Sequence, residues 1–411
     1  MELLDNPVRA YAWGSRTVIA DLLGQAVPSA HPEAELWFGA HPADPSHVVQ
    51  PDGGRVSLLE VLRADPKQLL GRERTVRWDG TLPFLLKVLA ADEPLSLQAH
   101  PSLEQARTGF AREEAAAIAR DAPDRNYRDA NHKPELICAL TTFHALVGFR
   151  EPAASVRLLR ALEVPELDAH AELLAGQPDA DGLRALFTTW ITLPQAMLDT
   201  LVPALQAGCV KLAGGDGEFS TEARTVLELS ERYPGDAGVL AALLLNRVTI
   251  EPGEALYLPA GNLHAYLSGA GIELMANSDN VLRGGLTPKH VDVPELLRVL
   301  DFRAMPPPVL TGVPDGVWLR YDTPAEEFLL RRLEVDAADV PGEPVPVPDG
   351  GPRILLCTAG AATVRAPGAE LVMARGTSVW LAAADAGVTV TADAGPAQLF
   401  LASDGLGPEV A

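Results

Sequence analysis

Residues Leu85 to His100 read LLKVLAADEPLSLQAH, an apolar strand that closes on Ser96-Leu97-Gln98-Ala99-His100. Alternate side chains of a strand point to opposite faces, so Ser96, Gln98 and His100 share one face and Leu97 and Ala99 the other. A hydroxyl, an amide and an imidazole on one side of an apolar strand ill suit a packed core. That face meets either water or a bound metal or polar ligand. A metal needs further ligands from elsewhere in the chain, and the stretch alone leaves both readings open.

A chain of 411 residues is too long for one core of ordinary size, so two or three domains are expected. Its hydrophobic content of 47% is that of a folded globular protein. The formal net charge of −22 argues against nucleic acid or an anionic membrane as partner, because such surfaces repel an acidic protein. Cys138, Cys209 and Cys357 are widely spaced and odd in number, so they build neither a disulfide framework nor a cysteine zinc motif. They read as small buried hydrophobes in a reducing cytosol. The opening MELLDNPVRAYAWGS lacks a basic segment followed by an apolar run. No window offers the unbroken run of about 18 apolar residues that a membrane span requires. The expectation is a soluble cytoplasmic protein, monomeric or a weak homo-oligomer, with no nucleic-acid or membrane partner.

Along the chain, Asn6 to Pro51 reads as short strands and turns, with His41 and His47 as solvated loop histidines. Ser57 can cap a helix running to Ala64. Pro101-Ser102 opens another helix. A polar loop, Asn126 to Glu135, runs into LICALTTFHALVGF, which reads as one or two strands. Glu135 at the lip of that apolar run is costly unless it is paired, solvated or metal-bound. From 151 to about 240 the apolar spacing becomes three and four, which predicts an inserted helical domain to which no chemistry is assigned. Strand texture returns at Arg247, with a hairpin through Glu251-Pro252-Gly253-Glu254. His264 opens a further strand, and a short helix runs from Val293 to Leu300. The Pro/Gly-rich stretch Val340 to Gly351 reads as a connection with little structure of its own. Beyond it, short strands at regular spacing predict a β-sandwich or jelly roll. All nine histidines lie at or before His290, so histidine-based metal chemistry excludes this C-terminal part.

Four residues near strand ends form a candidate metal set: Gln98 and His100, Glu135, and His264. Two imidazoles, a carboxylate and an amide suit a borderline divalent ion, zinc first. Such a set leaves the ion about one net positive unit, a useful Lewis acid with an open position. Lys87, Lys133, Arg283 and Lys289 fall in the same segments. In so acidic a protein they imply an anionic substrate, unless each pairs with a carboxylate such as Asp92, Asp279 or Asp292. Moving a proton beside a polarised carbonyl needs a carboxylate or imidazole of tuned pKa. Glu273, Asp279 and His132 are the candidates. The residues alone imply metal-assisted chemistry on a small anionic, oxygen-rich molecule.

At these residues the chain resembles the type I phosphomannose isomerases. One motif is Tyr127-x-Asp129-x-Asn131-His132-Lys133-Pro134-Glu135. The other runs from His264-Ala265-Tyr266-Leu267 through Gly269, Glu273, Met275-Ala276, Ser278-Asp279-Asn280 and Arg283 to Thr287-Pro288-Lys289. Gln98-Ala99-His100-Pro101, YAWGS and ELWFGAHP also fit, and the resemblance spans roughly residues 5 to 300. It implies a mainly β fold with an inserted α-helical domain and two cupin-like jelly-roll barrels. The implied catalytic domain takes residues 1–150 plus 241–305, the helical domain 151–240, and a metal-free cupin-like domain 306–411. It also implies one zinc ion per chain on Gln98, His100, Glu135 and His264. The implied activity interconverts mannose 6-phosphate and fructose 6-phosphate through a cis-enediol. Arg283 matches the arginine given a catalytic role, and Lys133, which matches a position lining the pocket, is counted among the catalytic candidates. Ser96, Lys87, Lys289 and Tyr266 match pocket positions that meet the substrate. Gly284 replaces the usual alanine and His144 stands where an acidic residue is common; neither removes a ligand. The alternatives are an isomerase for another sugar phosphate and a non-catalytic sugar-binding cupin. A nucleotidyl-transferring activity is disfavoured, because no Gly-rich loop followed by a lysine is evident.

Overall fold

The computed structural model describes residues 1–336, 343–393 and 395–407, so the first three residues of the Val340 to Gly351 connection lie outside the described residues. Helix and strand are nearly balanced, at about 29% and 30%, which corrects the expectation of a mainly β chain. The balance comes from the inserted helices together with short helices at Val18–Leu22, Leu58–Ala64, Pro66–Leu70 and Arg72–Arg77.

The sheet that carries the site is built on the long strand His264–Ala276. It pairs antiparallel with Phe84–Ala91, from Gly269 opposite Ala91 to Ala276 opposite Phe84. Its other edge takes Glu135–Ala139 at one end and Phe143–Phe149 at the other. Every residue of Phe84–Ala91 is buried, as an apolar run between two layers requires. The opening stretch is not one strand. Pro94 lacks the N–H a ladder needs, and pairing resumes only at Gln98–Ala99. The alternation still holds there: Leu97 and Ala99 enter the core shared with the helical segment, and Ser96 and Gln98 face a cavity.

LICALTTFHALVGF is two strands. The expected hairpin through Glu251 is not formed, since Leu245–Ile250 pairs with Phe143–Phe149 while Glu254–Leu258 pairs with Glu135–Ala139. Each edge is already claimed by an earlier strand, so the turn joins two ladders. Ser102 rather than Pro101 caps the helix Leu103–Ala115, in a capping box with Gln105.

Residues 152–242 are helical, from Pro152–Ala161 to Gly238–Ala242. Among the described residues one helix, Gln195–Ala213, is long and apolar enough by composition to cross a membrane. It packs on Ser220–Arg232 and buries Leu198, Leu201, Val202, Leu205 and Cys209 along one face, the pattern of an amphipathic core helix.

The C-terminal strands form two sheets that share a core of Leu355, Val379, Leu399 and Leu401 from one and Val364, Met373 and Val390 from the other. The larger has nine strands and recruits Glu2–Asp5, His47–Val49 and Arg55–Ser57 from the N-terminus. His47 is therefore a strand residue, not a loop one. In the Val340 to Gly351 connection, Val345–Pro346 adds a short strand to the smaller sheet. Among the described residues the strand order closes no barrel.

One buried ion pair ties the first helices to the C-terminal sheet. Arg74 and Asp404 are each 1% exposed and bond through both guanidinium and carboxylate edges. Arg74 also donates to the Gly407 carbonyl, and removing the Asp404 carboxylate takes away the charge that answers a buried guanidinium. Asp404→Ala is expected to lose about 3–5 kcal/mol of stability in urea unfolding, with zinc content unchanged; an unaltered midpoint would contradict this.

Candidate metal centre

The sheet brings three ligand-type side chains to one buried point. His100, Glu135 and His264 are 1%, 4% and 3% exposed, and one donor atom from each lies within 4.8 Å of the others. His100 Nε2 is 3.3 Å from Glu135 Oε1, and His264 Nε2 is 3.5 Å from Oε2. Register explains the meeting: His264 stands opposite Gln98, and Glu135 opposite Met275 on the same long strand.

Both rings are fixed from behind. His100 Nδ1 donates to the Asn280 carbonyl at 2.8 Å, and His264 Nδ1 donates to the Asn262 carbonyl at 3.1 Å. A carbonyl only accepts, so each Nδ1 carries the proton and each Nε2 presents its lone pair. Burial pushes the His100 imidazole down to about 4, so it is neutral at neutral pH. Its Nε2 is a fully buried polar atom with no hydrogen-bond partner, which buried nitrogens rarely tolerate. Burial opposes the charge on Glu135. His100 and the Lys133 ammonium at 3.2 Å outweigh that, holding the carboxyl well below the usual carboxylate range. Two imidazoles that turn Nε2 toward an ionised carboxylate, that of His100 neutral and without a hydrogen-bond partner, fit a divalent metal, with the rings oriented as metal-bound histidines are.

Above this cluster opens a cavity of about 550 Å³. Ser96, Lys87, Gln98, Lys133, Asp279, Arg283 and Lys289 all line it. Glu273 lies beneath, its Oε2 accepting from Lys87 Nζ at 2.8 Å. Burial raises the Glu273 pKa, partly offset by that ammonium. Two sequence candidates are placed elsewhere. His132 turns away to Glu327, 2.5 Å from its carboxylate, because the C-terminal segment offers the nearer anion. Tyr266 is 4% exposed, edge-on to Phe143, beside the His264 ring and with its phenol toward the Glu273 and Glu135 carboxylates, so it packs behind the cluster and does not line the cavity.

The cations divide. Lys87 pairs with Glu273 and Glu35, and Lys133 with Glu135. Among the described residues Arg283 and Lys289 form no ion pair, nor does Arg128 on the same wall. Burial and Arg128 lower the Arg283 pKa; burial, Arg283 and Arg128 lower that of Lys289. Mutually repelling cations that point into a cavity favour a polyanionic guest. Asp92 and Asp292 do not neutralise them; Asp292 caps the helix Val293–Val299.

Sequence reasoning missed several wall residues. His41 is 4% exposed, edge-on to Trp37, and 3.4 Å from Asp279. Burial opposes the Asp279 charge, and His41 and Lys133 keep its pKa low. The Pro42 that follows made this histidine read as a solvated loop residue; it does lie between strands, but buried. Glu35 accepts from Trp37 Nε1 at 2.8 Å and faces Lys87; their i, i+2 spacing on one strand was the available signal. Arg128 was a fifth cation within the Tyr127 to Glu135 motif. Asn280 ties the two motifs together. Its Oδ1 accepts from the Arg128 N–H at 2.7 Å, and its Nδ2 donates to the carbonyls of Asp129 and Asn131, both at 2.8 Å.

Fold and site together define a metal-binding protein whose buried two-histidine, one-carboxylate cluster underlies a cationic pocket for small anions. The family described as phosphomannose isomerase type I, catalytic domain, matches residues 1–152. The mannose-6-phosphate isomerase of Escherichia coli (strain K12) is 40% identical over 394 residues, covering 95% of this chain and 97% of that protein. A crystal structure of a variant phosphomannose isomerase from Salmonella typhimurium superposes with a TM-score of 0.90 at 37% identity, covering 99% of this chain and 100% of that one. A zinc-bound mannose 6-phosphate isomerase structure gives a TM-score of 0.88 at 36% identity, covering 98% and 99%. The chain belongs to the type I phosphomannose isomerase family.

Asn280→Ala cuts the link between the motifs without touching a ligand atom. It is expected to weaken zinc binding by about tenfold or more in competition with a chromogenic chelator. Wild-type affinity would show that the Asn280 side chain does not orient the His100 ring.

Proposed function

We propose that the chain is a zinc-dependent aldose–ketose isomerase that interconverts mannose 6-phosphate and fructose 6-phosphate through a cis-enediol. The observation that carries this reading is the buried His100–Glu135–His264 cluster at the foot of a cavity walled by Arg283, Lys289 and Arg128. Gln98, His100, Glu135 and His264 would hold one zinc ion. Bound there, zinc supplies Lewis acidity toward the sugar oxygens.

The side chains of the cavity supply the rest. Lys289 and Arg128, with the Ser96 hydroxyl, receive the phosphate. Arg283 stabilises the negative charge that develops on the enediol oxygens. The proton moving between C1 and C2 needs a group beside those carbons. Asp279 opens on the cavity, and Glu273 reaches it through Lys87, so these two are favoured over His132. Lys133 holds the Glu135 carboxyl low and Lys87 offsets part of the cost of burying Glu273, and both keep these groups in place. Tyr266 supports the His264 ring from the core side.

The two sheet assemblies are read as cupin-like units. The domains are taken as 1–150 plus 241–305, 151–240 and 306–411, with N-terminal strands crossing to the C-terminal sheet. The chain is read as a monomer or weak homo-oligomer. Three free, buried cysteines suit a reducing cytoplasm.

Fructose 6-phosphate formation from mannose 6-phosphate is expected to disappear on exhaustive chelation and to return with zinc. Full activity in metal-free protein would overturn the reading. Arg283→Ala is expected to fold and keep zinc while kcat falls about 10²–10³-fold; a wild-type rate would remove Arg283 from its role.

A further inference from the structure

Between the last two inserted helices, Ser220–Arg232 and Gly238–Ala242, the chain reads Arg232-Tyr233-Pro234-Gly235-Asp236-Ala237-Gly238. This turn carries no metal ligand, yet it grips both loops that bound the cavity. On one side Tyr233 lines the cavity, and its hydroxyl donates to the Pro94 carbonyl at 2.7 Å, two residues before Ser96. Arg232 pairs with Glu93 on the same loop.

On the other side the Asp236 carboxylate turns toward the loop between Arg283 and Lys289. Its Oδ1 accepts from the N–H of Leu286 at 2.9 Å and from that of Gly238 at 2.7 Å. Its Oδ2 accepts from the N–H of Thr287 at 3.2 Å. That loop has an unfavourable shape. Leu286 sits at φ +54, in the left-handed region a leucine avoids. Gly285, at φ +116, runs so close to the turn that a Cβ there would lie 2.7 Å from the Gly238 Cα. The loop also carries cations that repel one another and Arg128 across the same wall. A strained backbone under like-charge repulsion relaxes unless something outside it holds it, and Asp236 supplies the anionic acceptors that do so.

We propose that Asp236 is a positioning residue: through the backbone of Leu286 and Thr287 it holds the loop that sets Lys289 toward the substrate's phosphate and Arg283 toward the enediol oxygens. The inference rests on the isomerase reading for the identity of that substrate. It gives the helical segment a part in the reaction that its lack of titratable ligand patterns did not indicate.

The test compares wild type, Asp236→Ala and Asp236→Asn as full chains. Zinc content, unfolding, steady-state kinetics and calorimetric binding of inorganic phosphate are measured on each. Asp236→Ala is expected to keep zinc and cooperative unfolding while KM and the phosphate Kd each rise about tenfold and kcat falls less. Asp236→Asn keeps the Oδ1 acceptor, loses the bond to Thr287, and is expected to bind phosphate about threefold more weakly. Phosphate binding by Asp236→Ala at wild-type strength would overturn the proposal, as would joint loss of phosphate and zinc in both variants. Should the alanine variant fail to fold, wild-type phosphate affinity in Asp236→Asn overturns it instead. A wild-type chain that binds phosphate but does not isomerise would sink the functional reading and leave this comparison intact.

Discussion

Glu135 begins a strand whose five residues are all buried, and an ionised carboxylate there is among the costliest groups a fold can carry. Its surroundings answer that cost from every side. Lys133 folds back from two residues earlier, and two histidine rings meet the carboxylate edge through Nε2, that of His100 with no hydrogen-bond partner. The backbone carbonyls of Asn280 and Asn262 fix the ring tautomers. A divalent cation completes the set better than any rearrangement of the protein groups could, because it satisfies both lone pairs and the carboxylate at once.

The rest of the cavity divides into a neutralised floor and a charged wall. On the floor Lys87 is shared by Glu273 and Glu35, with Trp37 donating to Glu35 and lying under the ammonium. That network is closed and holds its charges in a dry place. On the wall Arg128, Arg283 and Lys289 lack carboxylate partners among the described residues. A protein of net charge −22 that keeps three cations unneutralised around one cavity holds a local field opposite to its global one. Such a field selects a phosphate-bearing guest against the repulsion of the surface as a whole.

Much of this was legible in the chain. The alternation in Ser96-Leu97-Gln98-Ala99-His100 separated cavity side chains from core side chains, and the stranded texture around Glu135 and His264 marked the other members of the buried cluster. Residues whose place depends on distant partners were not legible. His132 lies three positions from Glu135 yet is drawn to Glu327 in the C-terminal segment. His41, just before Pro42, is buried between Trp37, four residues earlier, and Asp279, which sequence alone does not bring near. The ladder that joins Glu2–Asp5 to Ser378–Leu381 spans nearly the whole chain, and no local pattern encodes so long a closure. Asp236 went unread for the same reason: its partners are backbone N–H groups, which leave no mark on side-chain composition.

The central claim is that Gln98, His100, Glu135 and His264 surround one zinc ion beneath the cationic wall. Diffraction from crystals of the zinc-loaded chain, recorded on both sides of the zinc absorption edge, tests it most directly. The account predicts one anomalous peak per chain, about 2.0–2.2 Å from both histidine Nε2 atoms and from oxygens of Glu135 and Gln98. A peak at any other cluster, or none at this one in protein that isomerises mannose 6-phosphate, would contradict it.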